Sequence, residues 1–412
     1  MKIEVLKSEL VNSLNLNNVV KQVDSISALE NFKVCIKDSN ILIYSTDLET
    51  LIQTKTNINE IVILENEFLV NRKRFLNIIN SFNDVSIQMI IDDDTLKIKG
   101  FQSSTSLPIS REVNEFPDTE INFANYDFLI DIENIYEIVK KACLFVGNDE
   151  MRPMMNGINL KRIDDSLKIT ATDAHKLFSE VVECDKGNDI DITVPVIIQK
   201  FMKLQGDGKL ELFIDKDLKN IIVFGEMFNT RIRLFDGRFP NFEAVIPKNN
   251  NEIVFLNKAE LTNALKAIKS SLNSTNSISF IFKESNMIIL SEDFDYSISS
   301  AYLLKIEDSR LTDEYTRIAV NYNFFTTALS VINHPIISIK FSQSNRPILI
   351  DTDTNRTILI MPVMITSNES ADVVYEQAIK EIKNLRDEKI ATVALLDDAE
   401  DDIIPNTVFD EN

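Results

Sequence analysis

The sequence predicts an α+β fold built of three repeated modules, each with two helices packed on antiparallel sheet. Three observations carry that prediction. An amphipathic helix followed by β-rich stretches and a second helix recurs three times along the chain. The turn Ser45-Thr46-Asp47 returns as Ala171-Thr172-Asp173 about 126 residues on, and as Ser291-Glu292-Asp293 about 120 residues after that. The pair Phe116-Pro117 returns as Phe239-Pro240 about 123 residues later. Landmarks that shift together set boundaries near residues 124, 250 and 366, giving modules 1–124, 125–250 and 251–366 and an extension over 367–412.

In the first module, Leu10, Val11, Leu14, Val19, Val20 and Val23 form an apolar stripe that predicts a helix over Ser8–Val23, with Lys21 on its polar side. Strands are expected at Phe32–Ile36, Ile41–Tyr44, Val85–Ile91 and Thr95–Lys99. Between them a second helix over Asn71–Phe82 buries Phe75, Leu76, Ile78, Ile79 and Phe82, and Arg72 and Lys73 open it. In the second module, Ile135, Ile138, Val139 and Ala142 predict a helix over Asp131–Val146 that carries Lys140 and Lys141 outward. Asn156-Gly157 reads as a turn or bulge, and Asp164-Asp165-Ser166 as the tip of a hairpin. Pro195 is expected to open a helix to Leu204 with Lys200 and Lys203 exposed. The third module has an Asn-capped helix over Asn257–Leu272 with Lys258, Lys266 and Lys269 polar, then a helix over Asn321–Ile332 without a basic residue. Ile336–Phe341, Pro347–Asp351 and Thr357–Ile365 complete it as strands.

With 412 residues, 44% hydrophobic and 26% charged, the chain reads as a soluble, multidomain globular protein. No apolar run reaches the ~18 residues of a membrane span. The start lacks a signal-peptide pattern and three scattered cysteines suit a reducing compartment, so a cytoplasmic location is expected. A net charge of −21 argues against nucleic acid as a partner only for the average surface, because clustered lysines can still face phosphates. Asp173 and His175, two apart in a strand-like stretch, are the first residues to weigh as a catalytic pair. No nucleophile, metal-ligand spacing, phosphate loop or hydrolase elbow accompanies them, so neither an enzyme, a metal site nor a cofactor is expected.

Asn156-Gly157, Ala171-Thr172-Asp173-Ala174-His175-Lys176-Leu177, Asp236-Gly237-Arg238-Phe239-Pro240 with Val245 and Pro247, and Met361-Pro362-Val363 together resemble the β subunit of bacterial DNA polymerase III, the replicative sliding clamps, over roughly residues 1–366. The resemblance implies a head-to-tail homodimer closing a ring of six similar domains, with helices lining the hole and sheets forming the outer wall. It implies a non-enzymatic processivity factor whose partners are double-stranded DNA, met without sequence preference, and a polymerase and clamp loader docked through short linear peptides. DNA would face Lys21, Arg72, Lys73, Lys140, Lys141, Lys200, Lys203, Lys266 and Lys269. The peptide-binding cleft, between the second and third domains, would comprise Met155, Thr172, Ala174, His175, Lys176, Leu177, Pro240, Val245, Asn321, Phe324, Leu359, Met361, Pro362 and Val363. At the subunit seam, Leu107 and Ile109 would face Ser271 and Leu272. Ala174 stands where the family usually has glycine. An alternative reading is a clamp-like peptide-binding or decoy protein that does not encircle DNA.

The extension is additional to that resemblance. Ala371, Val374, Tyr375, Ala378, Ile382 and Leu385 predict an amphipathic helix over Ser370–Ile390, followed by the acid run Asp397–Asp402. The run reads as a solubilising tail. A sharper alternative folds Val393–Leu396 or Ile403-Ile404 back into the cleft to compete with partners.

Overall fold

The computed structural model describes the chain except for residues 24, 59–64, 118, 120, 122–125, 131–134, 206–210, 216, 218, 352–354, 366–368 and 385–412. The module boundaries predicted near 124 and 366 and the acid run lie outside the described residues.

The described elements, in chain order, are β1 (Lys2–Leu6), α1 (Lys7–Asn17), β2 (Asn31–Lys37), β3 (Asn40–Thr46), β4 (Thr50–Asn57), β5 (Asn66–Asn71), α2 (Arg72–Ser81), β6 (Ser86–Ile91), β7 (Thr95–Lys99), β8 (Ser104–Pro108), β9 (Tyr126–Ile130), α3 (Ile135–Ala142), β10 (Gly157–Ile163), β11 (Ser166–Thr172), β12 (Lys176–Glu183), β13 (Ile190–Pro195) and α4 (Ile198–Gln205). There follow β14 (Glu211–Asp215), β15 (Asn220–Phe224), β16 (Phe228–Arg233), β17 (Glu252–Asn257), α5 (Lys258–Ile268), β18 (Ser277–Lys283), β19 (Asn286–Asp293), β20 (Ile298–Lys305), β21 (Asp308–Arg310), β22 (Thr316–Asn321), α6 (Tyr322–Ser330), β23 (Ile336–Phe341), β24 (Ile348–Asp351) and β25 (Arg356–Ile360). A last helix, α7, covers residues 371–384. The chain divides into two compact units, the first of residues 1–171 and 180–240, the second of 172–179 and 241–412.

In the first unit, β1-β6-β7-β8 form a four-stranded antiparallel sheet and β5-β2-β3-β4-β16-β15-β14-β9 an eight-stranded one. Alternation puts Ile3, Val5, Ile87, Met89, Leu96, Ile98, Val34 and Ile43 into one core with Leu10, Leu14, Phe75 and Ile79 of the helices. Helix α1 packs against α2, and α3 against α4. The second unit holds the four-stranded sheet β20-β19-β18-β22, the run β25-β24-β23-β17-β21, and α5 packed against α6. The architecture is α+β, with antiparallel pairing among the described strands of each unit.

Local chemistry fixes the element ends. Asn71, Asn257 and Asn321 cap α2, α5 and α6, each side-chain oxygen accepting backbone N–H groups of the first turn. Helix α1 stops at Asn17, six residues before the predicted end, because the buried Asn17 amide donates to Ser13 O and Thr54 Oγ1 while its own carbonyl is taken by Ser45 and Arg72. Pro195 closes β13 opposite Gly157 instead of opening α4, which starts at Ile198. The hairpin tip predicted at Asp164-Asp165-Ser166 is a two-residue turn, with Ile163 paired to Ser166 and Asp164 at φ 53°. Gly157 is extended at φ −124° and starts β10, so the turn expected there is absent. A Cβ on it would sit 2.8 Å from the Phe235 ring, and that close approach is what excludes a side chain.

Helix α7 lies within the predicted Ser370–Ile390, whose residues 385–390 are outside the described residues, and it buries Val374, Tyr375 and Ala378 of the predicted face. Val374, Tyr375 and Ala378 pack on Ile281, Ile288 and Leu290 of β18 and β19. Lys283 Nζ meets Glu376 Oε1 at 2.9 Å, Tyr315 donates its hydroxyl to the same oxygen at 3.0 Å, and the Lys283 ammonium lies 4.4 Å from the Tyr315 ring centroid.

Candidate functional site

The cluster Thr172–Lys176 is a tight turn built by its own polar side chains. Asp173 Oδ1 accepts the backbone N–H of His175 at 2.9 Å and of Lys176 at 2.8 Å, and Thr172 Oγ1 accepts that of Ala174 at 3.2 Å. Ala174 sits at φ 76°. The first copy is built alike: Asp47 Oδ1 accepts from Glu49 and Thr50, Thr46 Oγ1 accepts from Leu48, and Leu48 sits at φ 77°. Asp293 repeats the carboxylate half by accepting from Asp295 and Tyr296. The acid that recurs along the sequence is therefore a turn former. The second oxygen of Asp173 accepts from Lys176 Nζ at 2.6 Å, an ion pair whose side chains are only 9% and 15% exposed.

His175 takes no part in that pair. Its ring stacks on Phe324 of α6, centroids 5.7 Å apart and planes 14° from parallel, and the Lys176 ammonium lies 5.5 Å from the same Phe324 ring. The end of β25 is laced against this corner. Met361 N–H donates to His175 O at 2.8 Å and Val363 N–H to Ala319 O at 2.8 Å, while Pro362 bridges Val320. Around the stack, Ala174 and His175 are exposed and Phe324, Met361, Pro362 and Val363 half-buried, and Val245 is exposed at the end of a short 3₁₀ turn. Leu177 and Leu359 are each 2% exposed and belong to the core beneath. Thr172 and Asn321 are committed to local structure, Asn321 as helix cap and as donor to Thr275 O. Met155 and Pro240 lie in the first unit, both half-buried, Met155 O accepting Gly147 N–H at 2.7 Å.

Of the residues expected to face DNA, Lys73, Lys200, Lys203, Lys266 and Lys269 are exposed on α2, α4, α5 or the turn after α5. Lys21 is exposed but lies beyond α1. Lys141 is half-buried, and Lys140 is paired with Glu137 at 3.3 Å. Arg72 corrects the expectation. It is 2% exposed, donates to Val20 O at 2.7 Å, and lies over the Phe32 ring at 5.3 Å. Burial holds its basicity down, so it is an internal strut that holds the carbonyls freed at the end of α1. The seam residues need the same correction. Leu107, Ile109 and Ser271 are 4%, 7% and 1% exposed, the first two within the first unit's core. Ser271 donates to Ile268 O. Leu272 is half-buried. Among the described residues, the strands left with one open side near these positions are β8 and β20.

Reasoning from sequence missed a matched pair. Lys7 and Lys258, the first residues of α1 and α5, donate Nζ to Phe82 O and Ile332 O, just past the ends of α2 and α6. Each cation satisfies a carbonyl at the negative end of its neighbouring helix. Their signal was available, because the two lysines occupy equivalent places in the repeat.

Family models of the DNA polymerase III beta subunit match this chain, the central domain over residues 130–241 and the C-terminal domain over 243–364. The beta sliding clamp of Helicobacter pylori is 24% identical over 363 residues, covering 85% of this chain and 94% of that protein. That of Bacillus subtilis is 23% identical over 394 residues, covering 88% and 99%. Among solved structures, the DNA polymerase III subunit beta of Pseudomonas aeruginosa superposes with a TM-score of 0.82 at 19% identity, over 89% of this chain and all of that one. The H. pylori beta clamp bound to a DNA ligase peptide superposes with a TM-score of 0.79 at 21% identity, over the same shares. The chain belongs to the DNA polymerase III β subunit family, the bacterial β sliding clamps.

Proposed function

We propose that two copies of this chain, each contributing the three modules 1–124, 125–250 and 251–366, close a ring around duplex DNA and that partners dock by short peptides at the corner formed by His175, Phe324 and Met361–Val363. As a member of its family the chain is a sliding clamp and not an enzyme. A threaded ring holds DNA by topology, so its contacts need only be weak and blind to sequence. Lysines on flexible stems, aimed at phosphates, meet that need and let the ring move. Exposed Lys73, Lys200, Lys203, Lys266 and Lys269 supply such contacts, while a net charge of −21 keeps DNA off the remaining surface. The open edges β8 and β20 support a seam made through backbone pairing, with Leu107 and Ile109 bracing β8 from inside.

The observation that carries the docking site is the stacked His175–Phe324 pair beside half-buried Met361, Pro362 and Val363: an apolar shelf with a polar edge, which suits a short apolar peptide. A peptide-bound relative, the H. pylori clamp with a DNA ligase peptide, supports it. Fluorescence anisotropy of that labelled ligase peptide tests the site. Binding to the full chain should weaken at least tenfold in Phe324→Ala and His175→Ala, about 1.4 kcal/mol, with unfolding midpoints kept near that of the parent. Equal affinity in both variants would contradict the assignment. A chain that stays monomeric at micromolar concentration would favour the alternative, a clamp-like protein that does not encircle DNA.

A further inference from the structure

Strand β22 joins the docking corner to helix α7. At its end Asn321 caps α6, its side-chain oxygen accepting the N–H groups of Asn323 and Phe324. Beside that cap the chain leaving β25 pairs on the outer side of β22: Pro362 bridges Val320, and Val363 N–H donates to Ala319 O at 2.8 Å. The next residues keep to the same strand. Met364 and Ile365 line a small pocket with Ala319 and Arg317. The buried Arg317 guanidinium donates to Ser279 Oγ at 3.2 Å and lies 3.4 Å from Glu292. Burial lowers its basicity, opposed by Glu292 and by Glu369, which stands two residues before α7. Tyr315, the residue before β22, donates its hydroxyl to Glu376 of α7 at 3.0 Å and sets its ring edge-on to Tyr375, centroids 5.6 Å apart. Arg317 is paired with Ile281 of β18, so its side chain stands on the sheet face that α7 covers.

The shelf and the seat of α7 therefore share one strand, and all of these groups belong to the second unit. The shelf's own main-chain ties are light. Met361 N–H to His175 O and Val363 N–H to Ala319 O are bonds worth about 1 kcal/mol each. A segment near the end of a domain stays ordered only when something ties it down, and a docked terminal helix is such a tie. The C-terminal family model ends at residue 364, so here the tie is made by residues beyond it. Helix α7 has two holds on the sheet. Val374, Tyr375 and Ala378 are buried on Ile281, Ile288 and Leu290. Lys283 latches the helix, its ammonium 2.9 Å from Glu376 and 4.4 and 5.2 Å from the Tyr315 and Tyr375 ring centroids. A peptide that needs the ordered shelf binds with an apparent affinity scaled by the fraction of molecules in which it is ordered.

We infer that α7 is a positioning element for the docking shelf: seated on β18 and β19 and latched by Lys283, it holds the segment leaving β25 against β22, so that Met361–Val363 is ordered before a peptide arrives. The inference rests on the docking site proposed above, and variants of the full chain separate the two. Lys283→Met removes the latch and leaves the apolar seat of α7 intact. By anisotropy, the labelled ligase peptide should bind Lys283→Met about fivefold more weakly than the parent, and Lys283→Arg like the parent. Lys283→Met and Glu376→Ala together should cost no more than Lys283→Met alone, because Lys283 acts through α7. Hydrogen exchange should quicken at the Met361 and Val363 amides of Lys283→Met and stay unchanged in β23, a pattern that general destabilisation would not give. If the peptide binds the parent and loses affinity in Phe324→Ala, yet binds Lys283→Met as tightly as the parent, the role of α7 is refuted and the docking site stands. Tighter binding by Lys283→Met would also overturn it, in favour of a competitor such as Val393–Leu396 or Ile403-Ile404, which lie outside the described residues. If the peptide binds none of the proteins, docking site and inference fall together.

Discussion

The carboxylate of Asp173 accepts two backbone N–H groups and a lysine, the kind of geometry a sequence motif hides, because an acid two residues from a histidine suggests catalysis until its oxygens are accounted for. Removing it takes away the 2.6 Å ion pair of Lys176, whose side chain is 9% exposed. Asp173→Ala removes these turn-forming bonds and is expected to lower stability by about 1–3 kcal/mol, as read by urea denaturation. Ala174 gives the opposite sign. At φ 76° an L-residue is strained. Ala174→Gly should therefore raise stability by about 0.5–1 kcal/mol, while Asp173→Ala lowers it. Cys35 is buried with its thiol pushed up to about 12, first by desolvation and then by Glu67. A folded-state value above the ordinary value of 9.0 stabilises the fold fully below pH 9, and that contribution is lost as pH rises from about 9 towards 12. Stability should accordingly fall over that window in the parent and fall less in Cys35→Ala.

Strands were legible as elements because period-2 burial leaves a direct trace: β7 and β23 span the predicted Thr95–Lys99 and Ile336–Phe341. Helix ends were less legible, because they depend on what takes the last carbonyls. Val19, Val20 and Val23 continue the apolar period of α1, yet the helix stops where Ser45 and Arg72 claim the Asn17 carbonyl, a partnership 28 and 55 residues away along the chain. The same long-range bonds turned a supposed DNA contact into a buried strut. The residues proposed to dock peptides, His175, Phe324 and Met361–Val363, were within reach of family resemblance. Lys7→Met and Lys258→Met should each cost about 1 kcal/mol by freeing a carbonyl at a helix end, measurable as a lower denaturation midpoint. Helix α7 is more consequential. Tyr375→Ala uncovers Ile281, Ile288 and Leu290, and should destabilise the second unit by about 2–4 kcal/mol.

At the scale of the whole molecule, charge has to be divided before it can be interpreted. A net −21 and a DNA partner conflict only if the cations are spread evenly, and six of the nine lysines and arginines expected at the DNA surface, Lys140 among them, are exposed on or directly beside helices. Lys21 also is exposed, Lys140 is paired, Lys141 half-buried and Arg72 internal, so the electrostatic footprint is narrower than the sequence suggested. Changing Lys200, Lys203, Lys266 and Lys269 to Ala should flatten the salt dependence of DNA association without moving the unfolding midpoint, and Arg72→Met should do the reverse. The measurement that tests the central claim most directly is retention, after loading, on circular against linearised DNA of one sequence at one salt concentration. Encirclement predicts that the protein stays on the circle and runs off the free ends of the linear molecule; equal loss from both would contradict it.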